Sequence, residues 1–298
     1  MSFKSGFVVI LGKANAGKST LLNTIIKEKV AIVSPKPQTT RNKILGILNE
    51  PDCQIIFIDT PGMHKSKNKL DEYMQKSINN AKQDVDVVVL MVDGSKNFRQ
   101  DDIDLINSFD REDVKTILVI SKIDESSFEK LYPKLQQFNE LKYIKDIIPI
   151  SSYKNKNIDV LVQKIKEYLP EGVKYFDDDV YTDKSVKFLV AEIIREKILW
   201  LLQDEVPHGV AIDILKFNEG ENRAEISADI ICEKQSHKAI IIGKNGAKIK
   251  EIGIKSRLEI EKLLDKKVNL DLFVKVREDW RDNNSYVKDL GYDIKLSE

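Results

Sequence analysis

The sequence predicts an α/β domain built on a mostly parallel, doubly wound sheet, followed by a small α+β domain. Three observations carry this reading. Short apolar runs alternate with helix-length amphipathic stretches through the first half; an acidic, patternless stretch follows position 172; beyond it the order becomes helix, two strands, helix, strand, helix. At 298 residues the chain also exceeds what one hydrophobic core usually organises.

Phe7–Leu11, Gln54–Asp59, Val85–Asp93, Val114–Ser121 and Ile147–Ser151 read as buried strands rich in Val and Ile. Ser19–Lys27, Leu70–Lys82, Gln100–Phe109, Phe128–Phe138 and Ile158–Leu169 read as the helices between them, an alternation that implies parallel pairing. Lys43–Asn49 is expected as an antiparallel edge strand. Leu169-Pro170-Glu171-Gly172 stops the last helix, because proline cannot continue it and glycine suits the turn. The expected division is therefore a first domain over 1–172, a linker over 173–183 with Asp177, Asp178 and Asp179 in a row, and a second domain over 184–298. There, Ser185–Gln203 reads as a long helix. Ala224, Ile226, Ala228, Ile230 and Cys232 share one strand face, as do Val268, Leu270, Leu272, Val274 and Val276. Gln235–Lys266 reads as helical with a break at Gly243–Gly246, and the helices are expected on one face of a small sheet.

Hydrophobic residues make up 42% and charged residues 32%, ordinary for a soluble globular protein. No apolar run approaches the roughly 20 residues of a membrane span. The apolar N-terminal run lacks a cleavage site and is read as a strand, not a signal segment. Cys53 and Cys232 lie far apart in strand-like segments, which suggests reduced core residues of a cytosolic protein. Net charge is zero, which argues against a generic nucleic-acid binder, but the average conceals segregation. From Lys238 to Arg257 six bases face Glu251 alone, whereas Asp204 to Glu233 carries eight acids and two bases. Such segregation marks one basic face.

Gly12-Lys13-Ala14-Asn15-Ala16-Gly17-Lys18-Ser19 follows a strand and opens a helix, the context of a Walker A phosphate loop. Asn15, Ala16, Gly17, Lys18, Ser19 and Thr20 are the expected phosphate cradle, with backbone N–H groups and a helix N-terminus turned to negative charge. Lys18 would neutralise β- and γ-phosphates and Ser19 would ligate Mg²⁺. Asp59-Thr60-Pro61-Gly62 ends a strand, so Asp59 can reach the Mg²⁺ through water and the Gly62 N–H can sense a γ-phosphate. Within Gln38-Thr39-Thr40-Arg41, Thr40 is preferred over Thr39 as the Mg²⁺ ligand made only with a γ-phosphate, because in related proteins that threonine precedes an arginine. Hydrolysis is thus assigned to Lys18, Thr40 and Gly62. In Ser121-Lys122-Ile123-Asp124, Asp124 can accept two hydrogen bonds from guanine N1 and N2, which adenine cannot donate. The Lys122 stem can lie along the base, and a backbone N–H of Ser151-Ser152 can meet guanine O6. Two positions depart from the GTPase pattern. Ser121 stands where an Asn amide normally ties the base to the phosphate loop, so weaker nucleotide affinity with unchanged guanine preference is expected. Met63 stands where Ras-like proteins have a water-orienting Gln; the adjacent His64 reads either as a base or as a solvated switch residue beside Lys65, Lys67 and Lys69.

Ile241-Ile242-Gly243-Lys244-Asn245-Gly246-Ala247-Lys248-Ile249 interrupts a helix with a Gly-x-x-Gly loop, as in KH domains, which clamp about four nucleotides by their backbone. Gly243, Lys244, Asn245, Gly246 and Lys248 are the candidate RNA contacts, the lysines meeting phosphates. A structural helical hairpin is the competing reading.

The ordered set of the Walker loop, Gln38–Arg41, Asp59–Gly62, Glu205-Val206-Pro207-His208 and Gln235–Ile249 closely resembles the Era family of bacterial GTPases, over nearly the full length. The resemblance implies a P-loop GTPase domain and a type II KH domain, with GTP and GDP as ligands and Mg²⁺ as cofactor. It further implies 16S rRNA bound near its 3′ end, a role in small (30S) ribosomal subunit biogenesis, a monomer, and a cytoplasmic location with peripheral association at the inner face of the cell membrane. Family members commonly carry a hydrophobic residue at the position of Met63. In several of them an Asn at the position of Asn15 helps hold K⁺ beside the phosphates; here that residue serves either K⁺ or turn geometry. Two other readings remain at this point. Ser121 suggests an RNA-binding module with a degenerate nucleotide site, and the superfamily includes tRNA-modification GTPases, against which the KH loop argues.

Overall fold

The computed structural model describes the chain except residues 1, 63–65, 67, 82–83, 109–113, 128, 130–131, 133–134, 137, 139–140, 142, 204–205 and 293–298. Met63, His64, Lys65, Lys67, Glu205 and most of the expected helix Phe128–Phe138 lie outside the described residues. The chain forms two compact units. The first comprises Met1–Ala31, Thr40–Lys65 and Met74–Asp183; the second comprises Ile32–Thr39, Ser66–Tyr73 and Lys184–Glu298.

The first unit holds a six-stranded sheet in the order β2-β3-β1-β4-β5-β6. Its strands are β1 (Lys4–Gly12), β2 (Ile44–Glu50), β3 (Cys53–Asp59), β4 (Val87–Asp93), β5 (Lys115–Ser121) and β6 (Ile144–Pro149). β2 runs antiparallel to β3 at the edge, as expected, and the other pairings are parallel. Every residue of β3 is buried, which is why it reads as a continuous apolar run and not as an alternation. Val9, Leu11, Leu90 and Leu118 pack with Ile78 of α2 (Lys69–Ala81) and Ile106 of α3 (Gln100–Asn107). Leu21, Leu22 and Ile25 of α1 (Lys18–Ile26) and Leu161 and Ile165 of α4 (Ile158–Tyr168) are likewise buried. β6 starts three residues before the expected Ile147 and ends at Pro149. As an edge strand it is only partly buried, and Lys145 and Asp146 interrupt its apolar signal. Parallel register aligns the carboxyl ends: Ile10 pairs with Asp59, Gly12 with Met91, and Asp93 with Ser121. Ligands of open α/β sheets bind at such ends.

The stretch 173–183, expected as a linker, belongs to the first unit and lies along β2 and β3. The Ile47 N–H donates to the Tyr181 carbonyl at 3.0 Å, and Gly46 forms a bridge with Thr182. Gln54 is fully buried; its Oε1 accepts from the N–H groups of Tyr175 (2.7 Å) and Phe176 (3.0 Å), and its Nε2 donates to the Phe176 carbonyl at 2.8 Å. Main-chain pairing needs no side-chain period, which is why the stretch looked patternless. It also covers a sheet edge that would otherwise be open.

In the second unit β7 (Ala211–Glu219), β8 (Arg223–Cys232) and β9 (Lys267–Val276) form a sheet, β7 antiparallel and β9 parallel to β8. With α5 (Val186–Leu201), α6 (Gln235–Ile242), α7 (Ala247–Leu264) and α8 (Asn284–Asp289) the order matches the expected pattern. The alternating face Ala224, Ile226, Ala228, Ile230 and Cys232 is buried against Val190, Ile194 and Ile198 of α5 and Ile252 and Ile260 of α7. Ser185 caps α5, its side chain accepting from the Phe188 N–H at 3.2 Å. Ile32–Thr39 is held within this unit. The Val33 N–H donates to the Glu196 carboxylate and the Trp200 indole N–H donates to the Val33 carbonyl, both at 2.9 Å. The Arg195 guanidinium donates to the Thr39 carbonyl while bound in two-point fashion to Glu192. Cys53 and Cys232 are buried and free, and burial pushes the Cys53 thiol up to about 11.

Gln54→Ala removes the acceptor of two part-buried N–H groups. It should cost about 1–3 kcal/mol in denaturant unfolding, at roughly 0.5–1.5 kcal/mol per lost hydrogen bond, and speed amide exchange at Tyr175 and Phe176. Unchanged protection of those two amides would contradict the anchoring.

Candidate functional site

The loop from Gly12 turns sharply into α1, with Asn15 and Gly17 in left-handed conformations at φ 63° and 94°. Ala16 is buried and Asn15 is exposed. Lys18 is buried, its ammonium donating to the carbonyls of Gly12 (3.0 Å) and Lys13 (3.1 Å). Asp59 is fully buried at the end of β3. Its Oδ2 accepts from the Ser19 hydroxyl at 2.6 Å, and the Thr40 hydroxyl lies 2.8 Å from Ser19 and 3.5 Å from the same carboxylate oxygen. Burial pushes the Asp59 carboxyl up against the opposing pull of Lys18, and pushes the Lys18 ammonium down against the pull of Asp59. Asp59 Oδ1 is buried without a hydrogen-bond partner. Two hydroxyls and a carboxylate with an unmatched oxygen form a hard, all-oxygen donor set that suits Mg²⁺. Gly62 lies against the loop: a Cβ there would fall 2.7 Å from Ala14 Cα and 2.8 Å from Ala14 N. Only glycine allows that approach of main chain to main chain.

A cleft of about 340 Å³ is lined by Gly17 and Thr20, by Ser121, Lys122, Asp124 and Glu125, and by Ser152 and Tyr153 after β6. Asp124 is exposed on the short turn Ile123–Glu125. The Lys122 ammonium is bound to Asp93 at 2.7 Å, which fixes its stem. Burial works against the Asp93 charge, yet Lys122 and Ser95 hold its carboxyl below the usual range. Ser121 is buried, and its hydroxyl lies within donating distance of the Ala16 carbonyl (2.7 Å) and the Val92 carbonyl (3.1 Å). The serine thus makes the tie between β5 and the phosphate loop that its departure from Asn had put in question. Ser151 is buried, and its N–H donates to the Lys156 carbonyl at 3.1 Å. Of the Ser151-Ser152 pair, Ser152 is therefore the residue that lines the cleft.

In the second unit, α6 and α7 meet at the turn Lys244–Gly246. Gly243 (φ 72°), Asn245 (φ 52°) and Gly246 (φ 75°) are all left-handed. A Cβ on Gly243 would lie 2.6 Å from Lys248 Cβ, whereas one on Gly246 would meet open space. Ile241 is fully buried and anchors the turn, while Lys244 and Asn245 are exposed. Lys248 pairs with Glu251 at 3.1 Å, and Glu251 also pairs with Lys255 at 3.0 Å. Those hydrogen bonds, Lys255 first, hold the Glu251 carboxyl below its usual range. Beside the turn runs a groove of about 330 Å³, lined by Lys250, Gly253, Ile254 and Arg257 of α7 and Leu270 and Leu272 of β9. The sequence reading missed this groove, because it exists only once α7 lies along β9. Gly253 was the available signal: a helix-interior glycine costs stability relative to alanine, and here it forms the groove floor, a Cβ there lying 3.7 Å from Leu272 Cδ1.

The family model described as 50S ribosome-binding GTPase matches residues 7–122, and the KH domain model matches residues 205–281. The chain is 48% identical to GTPase Era of Clostridium tetani over 97% of its own length and 99% of the relative's. It is 49% identical to GTPase Era of Clostridium botulinum (strain Okra / Type B1), over 97% and 98%. The crystal structure of Era in complex with MgGDPNP and nucleotides 1506–1542 of 16S ribosomal RNA superposes with TM-score 0.94 at 39% identity, covering 98% of this chain and all of that one. A variant of Aquifex aeolicus Era bound to GDP·AlF4⁻ superposes equally, with TM-score 0.94 at 38% identity and the same coverage.

Ser121→Ala removes the tie to the phosphate loop and should weaken GDP and GTP together by roughly tenfold, the scale of one buried hydrogen bond. Ser121→Asn restores an amide to a site already tied and should change affinity little. A large gain from Ser121→Asn in equilibrium titration would show that the hydroxyl is a poor substitute.

Proposed function

The chain belongs to the Era family of GTPases, and we infer that it binds GTP, hydrolyses it to GDP and phosphate with Mg²⁺, and binds 16S rRNA. The observation that carries the nucleotide half is the convergence of Ser19 and Thr40 on the buried Asp59, one of whose oxygens is unmatched. Ser19, Thr40 and Asp59 would hold Mg²⁺, which would supply positive charge to neutralise the phosphates. Lys18 exchanges the carbonyls of Gly12 and Lys13 for β- and γ-phosphate oxygens. The N–H groups of the loop from Asn15 to Thr20 cradle the phosphates. Thr40 and the Gly62 N–H engage only when a γ-phosphate is present, which makes their loops the switch. Asp124 selects guanine, with the Lys122 stem along the base and Ser152 toward O6. A degenerate nucleotide site is not favoured, because Ser121 keeps the loop tie.

Gly243–Gly246 clamps the RNA backbone and Lys244 and Lys248 meet its phosphates, while the groove between α7 and β9 takes bases. The RNA bound in the related complex, nucleotides 1506–1542, guides the assignment of the 3′ end of 16S rRNA and of a role in 30S biogenesis to this chain. No helix among the described residues is long and apolar enough to cross a membrane. A cytoplasmic protein, monomeric and peripherally associated with the membrane's inner face, is the cellular part of the proposal. Asn15 holds the left-handed conformation that the turn asks of an asparagine, so K⁺ use rests on the family resemblance; equal turnover in KCl and NaCl, in wild type and in Asn15→Ala, would retire it.

Asp124→Asn should lower GTP affinity and raise that for xanthine nucleotides, whose extra carbonyl suits an amide. Equal affinity of the wild type for ATP and GTP would sink the assignment. Gly243→Asp with Gly246→Asp should abolish RNA binding through strain and phosphate repulsion while leaving GTP binding intact; retained RNA binding in a gel-shift titration would move the clamp elsewhere.

A further inference from the structure

The stretch Ile32–Thr39 is held to one face of α5, where Arg195, Glu196 and Trp200 follow Glu192 at helical spacing. Glu196 and Trp200 take the Val33 N–H and carbonyl, and Arg195 takes the Thr39 carbonyl. Between these ends the loop closes on itself. The Thr39 hydroxyl donates to the Lys36 carbonyl at 2.6 Å and lies 2.7 Å from the Ser34 hydroxyl. One residue in it is strained. Gln38 has φ 58°, in the left-handed region, and strain of that sort in a residue other than glycine persists only where the surroundings enforce it. Two contacts do so here. The Gln38 side-chain amide donates to Asp71 Oδ1 at 2.9 Å, and the Arg195 guanidinium fixes the carbonyl of the next residue.

Arg195 is held in a single orientation. It is buried, and its Nε and Nη2 are bound to the Glu192 carboxylate at 2.7 and 2.6 Å, so the guanidinium plane is set before Nη2 reaches Thr39. Its Nη1 is buried with no partner. A buried ion pair with a donor left unmatched is a poor way to stabilise a helix, since apolar packing commonly does as well or better. What the pair secures is the direction of Nη2. Asp71 is likewise buried. The residue after Thr39 is Thr40, whose hydroxyl stands beside Ser19 and Asp59. We propose that Arg195 and Asp71 are positioning residues for Thr40. They hold Gln38 and Thr39 in the strained main-chain path that delivers the Thr40 hydroxyl to Ser19; without either, the path relaxes and Thr40 withdraws. The inference rests on the reading of Thr40 as the threonine that answers to a γ-phosphate. GDP binding does not draw on Thr40 and is untouched by the two residues.

The test measures equilibrium affinities for GDP and for a non-hydrolysable GTP analogue, both with Mg²⁺. The proteins are wild type, Thr40→Ala, Arg195→Lys, Asp71→Ala, Asp71→Asn, and the double variants of Thr40→Ala with Arg195→Lys and with Asp71→Ala. Lysine keeps a charge beside Glu192 but cannot hold that carboxylate at two points and Thr39 at once. Arg195→Lys and Asp71→Ala should each weaken the analogue by about five- to tenfold, the scale of one buried hydrogen bond, and leave GDP within about twofold. Asp71→Asn, whose amide oxygen still accepts from Gln38, should recover most of what Asp71→Ala loses. Because both residues act through Thr40, each double variant should bind the analogue no more weakly than Thr40→Ala alone, whereas a merely structural role would give additive losses in both nucleotides. If Thr40→Ala weakens the analogue but Arg195→Lys and Asp71→Ala do not, or if their losses add to its own, the positioning is overturned and the role of Thr40 stands. If Arg195→Lys weakens GDP as well, through a damaged fold, the Asp71 variants decide by the same criteria. If Thr40→Ala leaves the analogue unchanged, the reading of Thr40 falls and the positioning with it.

Discussion

A carboxylate buried with one oxygen unmatched is the constraint around which the first unit is arranged. Asp59 closes β3, which is paired on both sides, by β1 and β2, so its position is set by two ladders of main-chain hydrogen bonds. The same register carries the phosphate loop, since Ile10 lies opposite Asp59 and the chain turns at Gly12. Thr60 reinforces it, its hydroxyl donating to the Ile10 carbonyl at 3.0 Å. Leaving a buried acceptor unpaired costs on the order of 1–3 kcal/mol, a cost a fold retains where a ligand offsets it. Ser19, Thr40 and Lys18 all answer to that one charge, two through their hydroxyls and one through its field. The absence of a Cβ at Gly62 then lets the following segment touch the loop at Ala14.

The second unit solves a related problem at a turn whose own residues carry no buried charge. A polyanion must approach a main chain closely, and three positive-φ positions between α6 and α7, Gly243, Asn245 and Gly246, open the backbone to it. The local charge is more modest than the sequence count suggested, since Glu251 pairs with both Lys248 and Lys255. Lys244 and Lys250 remain exposed, one on the turn and one beside the groove. In the proposed RNA site, phosphates would meet Lys244 at the turn and Lys250 beside the groove, whose apolar residues Ile254, Leu270 and Leu272 suit the faces of unstacked bases.

What the sequence made legible is what depends on local backbone geometry or continuous burial. Gly17, Gly243 and Gly246 were readable because left-handed conformations select glycine, and β3 and β5 because strands buried on both faces are unbroken apolar runs. Tertiary hydrogen bonding was not legible. Gln54 gives no sign in sequence that it anchors Tyr175 and Phe176, nor Ser121 that its short side chain reaches Ala16. The groove beside α7 required the packing of distant segments before it acquired meaning.

Ile32–Thr39 connects these sites. It ends at Thr39, whose carbonyl accepts from Arg195 within the second unit, and the next residue is Thr40. A γ-phosphate that draws on Thr40 therefore acts one peptide bond from a segment held by Arg195, Glu196 and Trp200. If that continuity couples the nucleotide state to RNA affinity, linkage requires RNA to act back on GTP by the same factor. The central claim is tested by titrating the 3′ segment of 16S rRNA calorimetrically into the chain loaded with GDP or with a non-hydrolysable GTP analogue. A coupling of about 1–3 kcal/mol predicts RNA affinities that differ by roughly 5- to 150-fold between the two states. Equal affinities would contradict the account and leave a GTPase and an RNA binder that share only a chain.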